Sequence, residues 1–245
     1  MASSTATLCA HDTKLTREQL ALVPTPPGTV THRPIPHVEV VNALVETLGF
    51  RHIAVVRDEY ALDRTGNKMF GVLDLDTGME GCRFSIGIRN SHDKSMRLAL
   101  TVGYRVFVCD NMAFSGDFEP VLAKHSKNFN LVQAVSIGVD EMQRNFDGMR
   151  MTVEAWRESQ LPDVAAKLVI YRAFIESEVD FPKHLARPVH DLYFNPTLDE
   201  FQPRTLWSLS NAFTCAFKQL DPVPQFRATA KLAPFLETAT AGISR

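Results

Sequence analysis

Arg83-Phe84-Ser85-Ile86-Gly87-Ile88-Arg89 and Met96-Arg97-Leu98-Ala99-Leu100-Thr101-Val102-Gly103-Tyr104-Arg105-Val106-Phe107-Val108 decide the fold. The polar loop Asn90-Ser91-His92-Asp93-Lys94-Ser95 joins them. In the first run Phe84, Ile86 and Ile88 leave on one side, and Arg83, Ser85, Gly87 and Arg89 on the other. In the second, Met96, Leu98, Leu100, Val102, Tyr104, Val106 and Val108 keep to one face, with Arg97, Ala99, Thr101, Gly103 and Arg105 opposite. Successive side chains of a strand leave on opposite sides, so the alternation predicts a half-buried antiparallel pair. The apolar face must be covered. The other face carries arginines spaced by small residues, which leaves room for a ligand to lie on it.

Upstream, Val38, Val41, Leu44, Val45 and Leu48 form a helical stripe from His37, and Gly49 is placed to end it. Strands follow at His52–Arg57 and Lys68–Asp76, the second introduced by the turn Arg64-Thr65-Gly66-Asn67. A meander packed on a helix results. After Ser115-Gly116-Asp117 the period changes from 2 to 3.6. Pro120 to about Gln160 reads as helix, with Leu131, Val135, Gly138, Val139, Met142 and Phe146 as its stripe. A helix over Asp163–Glu178 carries Val164, Leu168, Tyr171 and Ile175 along one side. Four prolines (182, 188, 196 and 203) divide the next stretch, and a helix over Arg204–Leu220 brings Trp207, Phe213 and Phe217 to the core. The tail beyond Ala233 is polar and is expected to fray. Residues 1–36 contain Pro24, Pro26, Pro27, Pro34 and Pro36 and read as an extended arm. The predicted class is α+β: an N-terminal helix packed on an antiparallel meander, then a long helix and a mainly helical C-terminal half. One domain is expected over residues 37–245, with a sheet part at 37–118 and a helical part at 119–245.

The 245 residues suffice for a substantial core, and 45% apolar with 22% charged residues is ordinary for a globular protein. No apolar run nears the ~18 residues of a membrane helix, and Met1–Ala10 lacks the features of a secretory leader. Cys9, Cys82, Cys109 and Cys215 follow no Cys-x-x-Cys spacing, which suits buried thiols in a cytoplasmic protein. The net charge of -2 weighs against a dedicated duplex binder, but the charge is uneven. Between Glu39 and Glu80 four basic residues face eight acids; between Gly81 and Asn130 seven face four. Such polarity steers an anionic partner even when the total does not.

Arginine and lysine reach phosphate oxygens through charge-assisted bonds, and small residues between them admit a backbone. Arg83, Arg89, Arg97 and Arg105 are therefore expected to track phosphates on the sheet face. Asn90 and His92 in the loop would add hydrogen bonds, and Lys94, Lys124 and Lys127 further charge, with His125 among the latter. A plain solvated sheet face fits the same pattern. His92-Asp93 with Cys109 or Ser115 would be needed for nucleophilic catalysis, but no local signature supports it, and no catalytic residue is assigned. Asp74 and Asp76 could hold a divalent ion, although strand-end aspartates before a turn are commoner. No histidine pair has metal-ligand spacing and no glycine-rich nucleotide loop is present, so neither metal nor cofactor is expected.

Met69-Phe70-Gly71, Ile88-Arg89-Asn90-Ser91-His92-Asp93-Lys94-Ser95 and Arg105-Val106-Phe107-Val108-Cys109-Asp110-Asn111-Met112-Ala113-Phe114-Ser115-Gly116 resemble a phage- and plasmid-related family carrying a domain of unknown function. Leu206-Trp207-Ser208-Leu209-Ser210-Asn211-Ala212-Phe213-Thr214 resembles its second block, and the likeness runs from about residue 34 to 220. It implies a cytoplasmic protein of mobile elements or bacterial genomes and carries no reaction. Helix, meander and long helix also resemble, in topology alone, the core of single-strand annealing recombinases. Together these give the expected function: non-catalytic binding of single-stranded DNA, as a homo-oligomer, in recombination or mobile-element maintenance. Two alternatives remain open. One is a protein-interaction or anti-defence module that binds a host or mobile-element protein through the acidic stretch 58–80. The other is a metal-dependent nuclease or hydrolase, in which Asp74, Asp76 and His92 would converge.

Overall fold

A computed structural model describes residues 13–109, 111–114, 121–176 and 178–241. It has the expected α+β architecture. Strands β1 (Thr13–Leu15), β2 (Val55–Leu62), β3 (Lys68–Met79), β4 (Cys82–Ser91), β5 (Leu98–Val106), β6 (Met112–Phe114) and β7 (Val121–Ala123) form one antiparallel sheet. The order is β1-β2-β3-β4-β5-β6, and β7 pairs with the other end of β5. Four consecutive strands are thus joined by short turns, of which Gly66 and Gly81 supply the left-handed backbone positions.

The alternation places the apolar side chains on one covered face as predicted. Tyr60, Leu73, Phe84, Ile86, Ile88, Leu100, Val102 and Tyr104 are buried on one face. Over it lie α2 (His37–Phe50) and α3 (Leu131–Glu158), with Phe84 stacked on Phe146 at 4.1 Å between ring centres. The Asn130 side chain accepts from the Gln133 amide at 3.1 Å and caps α3. Below α3, α4 (Asp163–Phe174), α5 (Ala186–Phe194) and α7 (Pro222–Thr240) surround α6 (Leu206–Phe217), nearly all of whose residues are buried. Phe174, Phe181, Phe213, Phe217 and Phe235 form one aromatic cluster there, and Trp207 is buried too. The buried apolar residues of sheet and helices are continuous.

Four expectations need correction, and one helix presents a side whose direction the sequence left open. The sheet's second face is not open: every residue of β5 is buried, and Val72, Met112 and Phe226 of α7 form a small apolar cluster on that side. The stretch read as an arm contributes β1, paired with β2, and a short helix α1 (Arg17–Leu20) whose Leu20 is buried; residues 1–12 lie outside the described residues. The part read as helical from 119 contains strand β7, and helix begins only at Leu131. The tail beyond Ala233 is not frayed through Thr240, because Leu236 and Ala239 are fully buried. On α4, finally, the apolar side formed by Val164, Leu168, Tyr171 and Ile175 faces outward. Ala165, Ala166, Val169, Ile170, Ala173 and Phe174 are the buried side.

Among the described residues no helix is long and apolar enough to cross a membrane.

Candidate functional site

The residues expected to bind phosphate separate into two places. On the second sheet face, Arg105 is 3% exposed and its Nε lies 2.8 Å from Oδ2 of Asp74, itself buried. Ser85 Oγ donates to the other Asp74 oxygen at 2.7 Å. Asp74 stands opposite Ser85, and Ser85 opposite Gly103. Those two small residues give the Arg105 side chain its path to Asp74. Arg89 lies over the Phe226 ring at 5.8 Å and Arg83 over Phe107 at 5.1 Å, both half-buried cation–π arrangements. Arg105 is a structural residue of the covered face, not an open phosphate contact.

At one end of the sheet the remaining cations converge. Lys94 and Arg97, on the loop from β4 to β5, and Lys124, just after β7, line a groove of 490 Å³ with Thr31, His32, Ser95, Met96, His125 and Ser126. No carboxylate is among the described residues that line it. Lys127 is exposed on the adjoining turn. Lys94 holds a left-handed backbone (φ 66°), and Asp93 fixes the loop by accepting from Ser91 Oγ at 2.7 Å and from the Ser95 amide at 3.0 Å. Burial pushes the Asp93 carboxyl up, but the Ser95 and Ser91 hydroxyls and the Ser95 amide outweigh it and hold the group at about 2.

The inner wall is made of histidines. His32 is bridged to Ser126 through the backbone, and its ring stacks on His125 at 5.7 Å with an interplanar angle of 7°. Its Nδ1 lies 3.0 Å from the His125 carbonyl and its Nε2 3.2 Å from the His92 carbonyl. Behind them His37 and His92 stack at 3.8 Å. Asn90 Nδ2 donates to Ile35 O at 3.0 Å and to His37 Nδ1 at 2.9 Å, while His37 Nε2 donates to Gly66 O at 3.1 Å. His92 Nε2 donates to Ile35 O at 3.0 Å. Asn90 and His92 are therefore buried supports of the groove and do not reach its ligand space. His125 differs. It is 5% exposed, lines the groove, and neither ring nitrogen has a hydrogen-bond partner. Burial, followed by the neighbouring His32 and His92, pushes its ring down to about 4.

The alternatives are placed as follows. Asp93 turns to Ser91 and Ser95, and burial pushes the Cys109 thiol up to about 11, far from a thiolate at neutral pH; Ser115 lies outside the described residues. Asp74 sits seven residues along β4 from His92, roughly 23 Å at the rise of a strand. Asp76 accepts from the Ala54 amide at 3.0 Å, so the three side chains do not converge. Among the described residues no group of three or more His, Cys, Asp or Glu side chains could hold a metal ion. The acids of 58–80 are spread over separate contacts: Asp58 with Arg17 and Tyr60, Glu59 with Arg57, Asp63 with the Lys68 amide.

Sequence reasoning missed His32, Thr31 and Ser126 and placed His125 only beside the lysines that follow the strand pair. Their approach depends on the bridge between residues 32 and 126, which no local pattern announces.

Fold and groove together define an α+β meander protein with a cationic cleft at one end of its sheet. The chain belongs to the family of the domain of unknown function DUF932, whose profile matches residues 31–233, a span holding both walls of the cleft. No curated protein and no solved structure matches it.

Proposed function

We propose that the protein binds single-stranded nucleic acid without chemistry, in recombination or maintenance of mobile elements, and that the groove is its phosphate seat. The observation that carries this reading is the convergence of Lys94, Arg97 and Lys124 on one cleft, with no acid among the described residues that line it. Lys127 extends the charge at its rim, while Arg83, Arg89 and Arg105 hold the sheet beneath. The cleft has the volume of a nucleotide-sized pocket rather than that of a duplex-wide groove. The cytoplasm is the proposed location, supported by the free thiols of Cys82, Cys109 and Cys215.

Fluorescence anisotropy with labelled single-stranded and duplex DNA tests this. Neutralising about three to four phosphates of a single strand gives a loss of roughly 20- to 50-fold in affinity between 50 and 200 mM salt. Arg97→Glu/Lys124→Glu is expected to abolish that binding. A flat salt dependence, or unchanged binding by the variant, overturns the reading.

The homo-oligomer in this proposal rests on α4. Val164, Leu168, Tyr171 and Ile175 are exposed at 80, 45, 48 and 56% along about 16 Å of helix. Paired antiparallel about a two-fold axis, the stripe matches itself, Val164 facing Ile175 and Leu168 facing Tyr171 of a second copy. Light scattering is expected to show a multiple of the 27.4 kDa chain, reduced in Leu168→Glu/Tyr171→Glu. A wild-type mass of one chain contradicts it.

A further inference from the structure

We propose that the groove seats a terminal phosphate, a phosphomonoester at the end of the bound strand, and that His125 is the donor reserved for it. The inference rests on the nucleic-acid reading above and narrows it to one chemical class of ligand.

Two observations point there independently. The first is how few cations remain for a backbone track. A track needs positive groups repeated along the path of the strand. Arg105 is buried against Asp74, and Arg83 and Arg89 lie on aromatic rings. The cations left in company are Lys94, Arg97 and Lys124, gathered around one 490 Å³ space. Gathered charge suits one highly charged group. An internal phosphodiester carries a single negative charge, whereas a monoester carries about -1.5 to -2 near neutral pH and offers three terminal oxygens.

The second is His125. A ring 5% exposed with both nitrogens unpartnered gives up the hydrogen bonds it would have in water. His125 lines the cationic groove, and its ring stacks on His32. A phosphate oxygen is an acceptor and invites an N–H from the imidazole. The described groups facing His125 are His32 and His92 on the inner side and Lys124 beside it, and none of them is a carboxylate. The groove's hydroxyls from Thr31 and Ser126 complete a donor set suited to a tetrahedral anion.

The test compares one oligonucleotide in three forms, with a 5′-phosphate, a 3′-phosphate, or hydroxyls at both ends, and uses a nucleoside monophosphate as competitor. One phosphorylated form is expected to bind at least tenfold tighter than the hydroxyl form, with the monophosphate competing. His125→Phe and Lys124→Met are each expected to bring that ratio close to one, with circular dichroism confirming that both variants are folded. Equal affinity of all three forms overturns the terminal-phosphate seat and leaves strand binding standing. Binding of the monophosphate with none of any oligonucleotide keeps the seat and overturns the nucleic-acid reading. An undiminished ratio in both variants overturns the assignment to this groove.

Discussion

Lowering the pH from 7 towards 4 is expected to remove about 6 kcal/mol of stability, half from His37 and half from His125. Burial, then the adjacent His92, pushes the His37 ring from 6.5 to about 4. Its hydrogen bonds say the same: Nε2 donates to Gly66 O, and Nδ1 accepts from Asn90, so a second proton would face an amide donor. His125 falls to about 4 through burial and through His32 and His92. Each shift corresponds to about 3 kcal/mol. Between pH 4 and 6.5 the unfolded chain takes up protons that the folded one refuses. Stability is therefore complete above about 6.5 and declines as pH falls towards 4. His92, lowered by burial, acts in the same direction. Asp93, held near 2, loses its contribution only at lower pH and leaves the window to the histidines. Urea midpoints at pH 7, 6, 5 and 4.5 should fall progressively, and His37→Gln should flatten the decline by about half. Midpoints that stay constant from pH 7 to 5 contradict the prediction. A total of this size rivals the stability of an ordinary domain, about 5 to 15 kcal/mol.

Arg105→Met is expected to be the most damaging single change in the sheet. It strands the Asp74 carboxylate, 1% exposed, with the Ser85 hydroxyl as its remaining donor. Removing one partner of a buried ion pair costs about 3–5 kcal/mol, because the other charge stays in a medium that solvates it poorly. For a chain of this size that lowers the melting temperature by roughly 6–20 °C. Asp74→Ala/Arg105→Met should recover much of the loss, since the Asp74 carboxylate is then no longer stranded. A thermal melt of the three proteins decides it, and a single variant within 2 °C of wild type would show that the pair contributes little. The comparison also separates structure from binding: Arg105 acts on stability, while Arg97 and Lys124 act on affinity.

The sheet was legible because a period of two leaves few other folds open, and the β4–β5 pair appears where Phe84, Ile86 and Leu100 alternate with small and charged residues. That the second face is covered as well was not legible. Ser85 and Gly103 suggested room for a ligand, but the room is taken by Arg105 on its way to Asp74, a contact that depends on the register of three strands. Lys94, Arg97 and Lys124 could be picked out as cations near one loop. The histidine wall could not, because residues 32 and 126 meet only through tertiary structure. On α4 both sides are apolar, so period alone cannot say that the alanine-rich side packs inward and the larger side chains point out. Near the C-terminus, scattered threonines and alanines hid the spacing of Leu232, Leu236 and Ala239, which a helix brings to one buried side.

The order of the elements also governs the life of the nascent chain. The meander is complete at Val106, and α2, already synthesised, lies ready against part of its apolar face. The central helix α6, which backs Tyr104 through Trp207, ends only at Phe217. At roughly 5–20 residues per second the ribosome takes about 5 to 20 s to supply it. Until α3 and then α6 have been made, part of a row of Leu, Val and Tyr side chains lacks its permanent cover, and β5 has its neighbours β6 and β7 only towards the end of the sheet's own synthesis. The aggregation hazard of this fold belongs to its birth on the ribosome, where a chaperone that shields half-built sheets would do more for yield than any stabilisation of the finished protein.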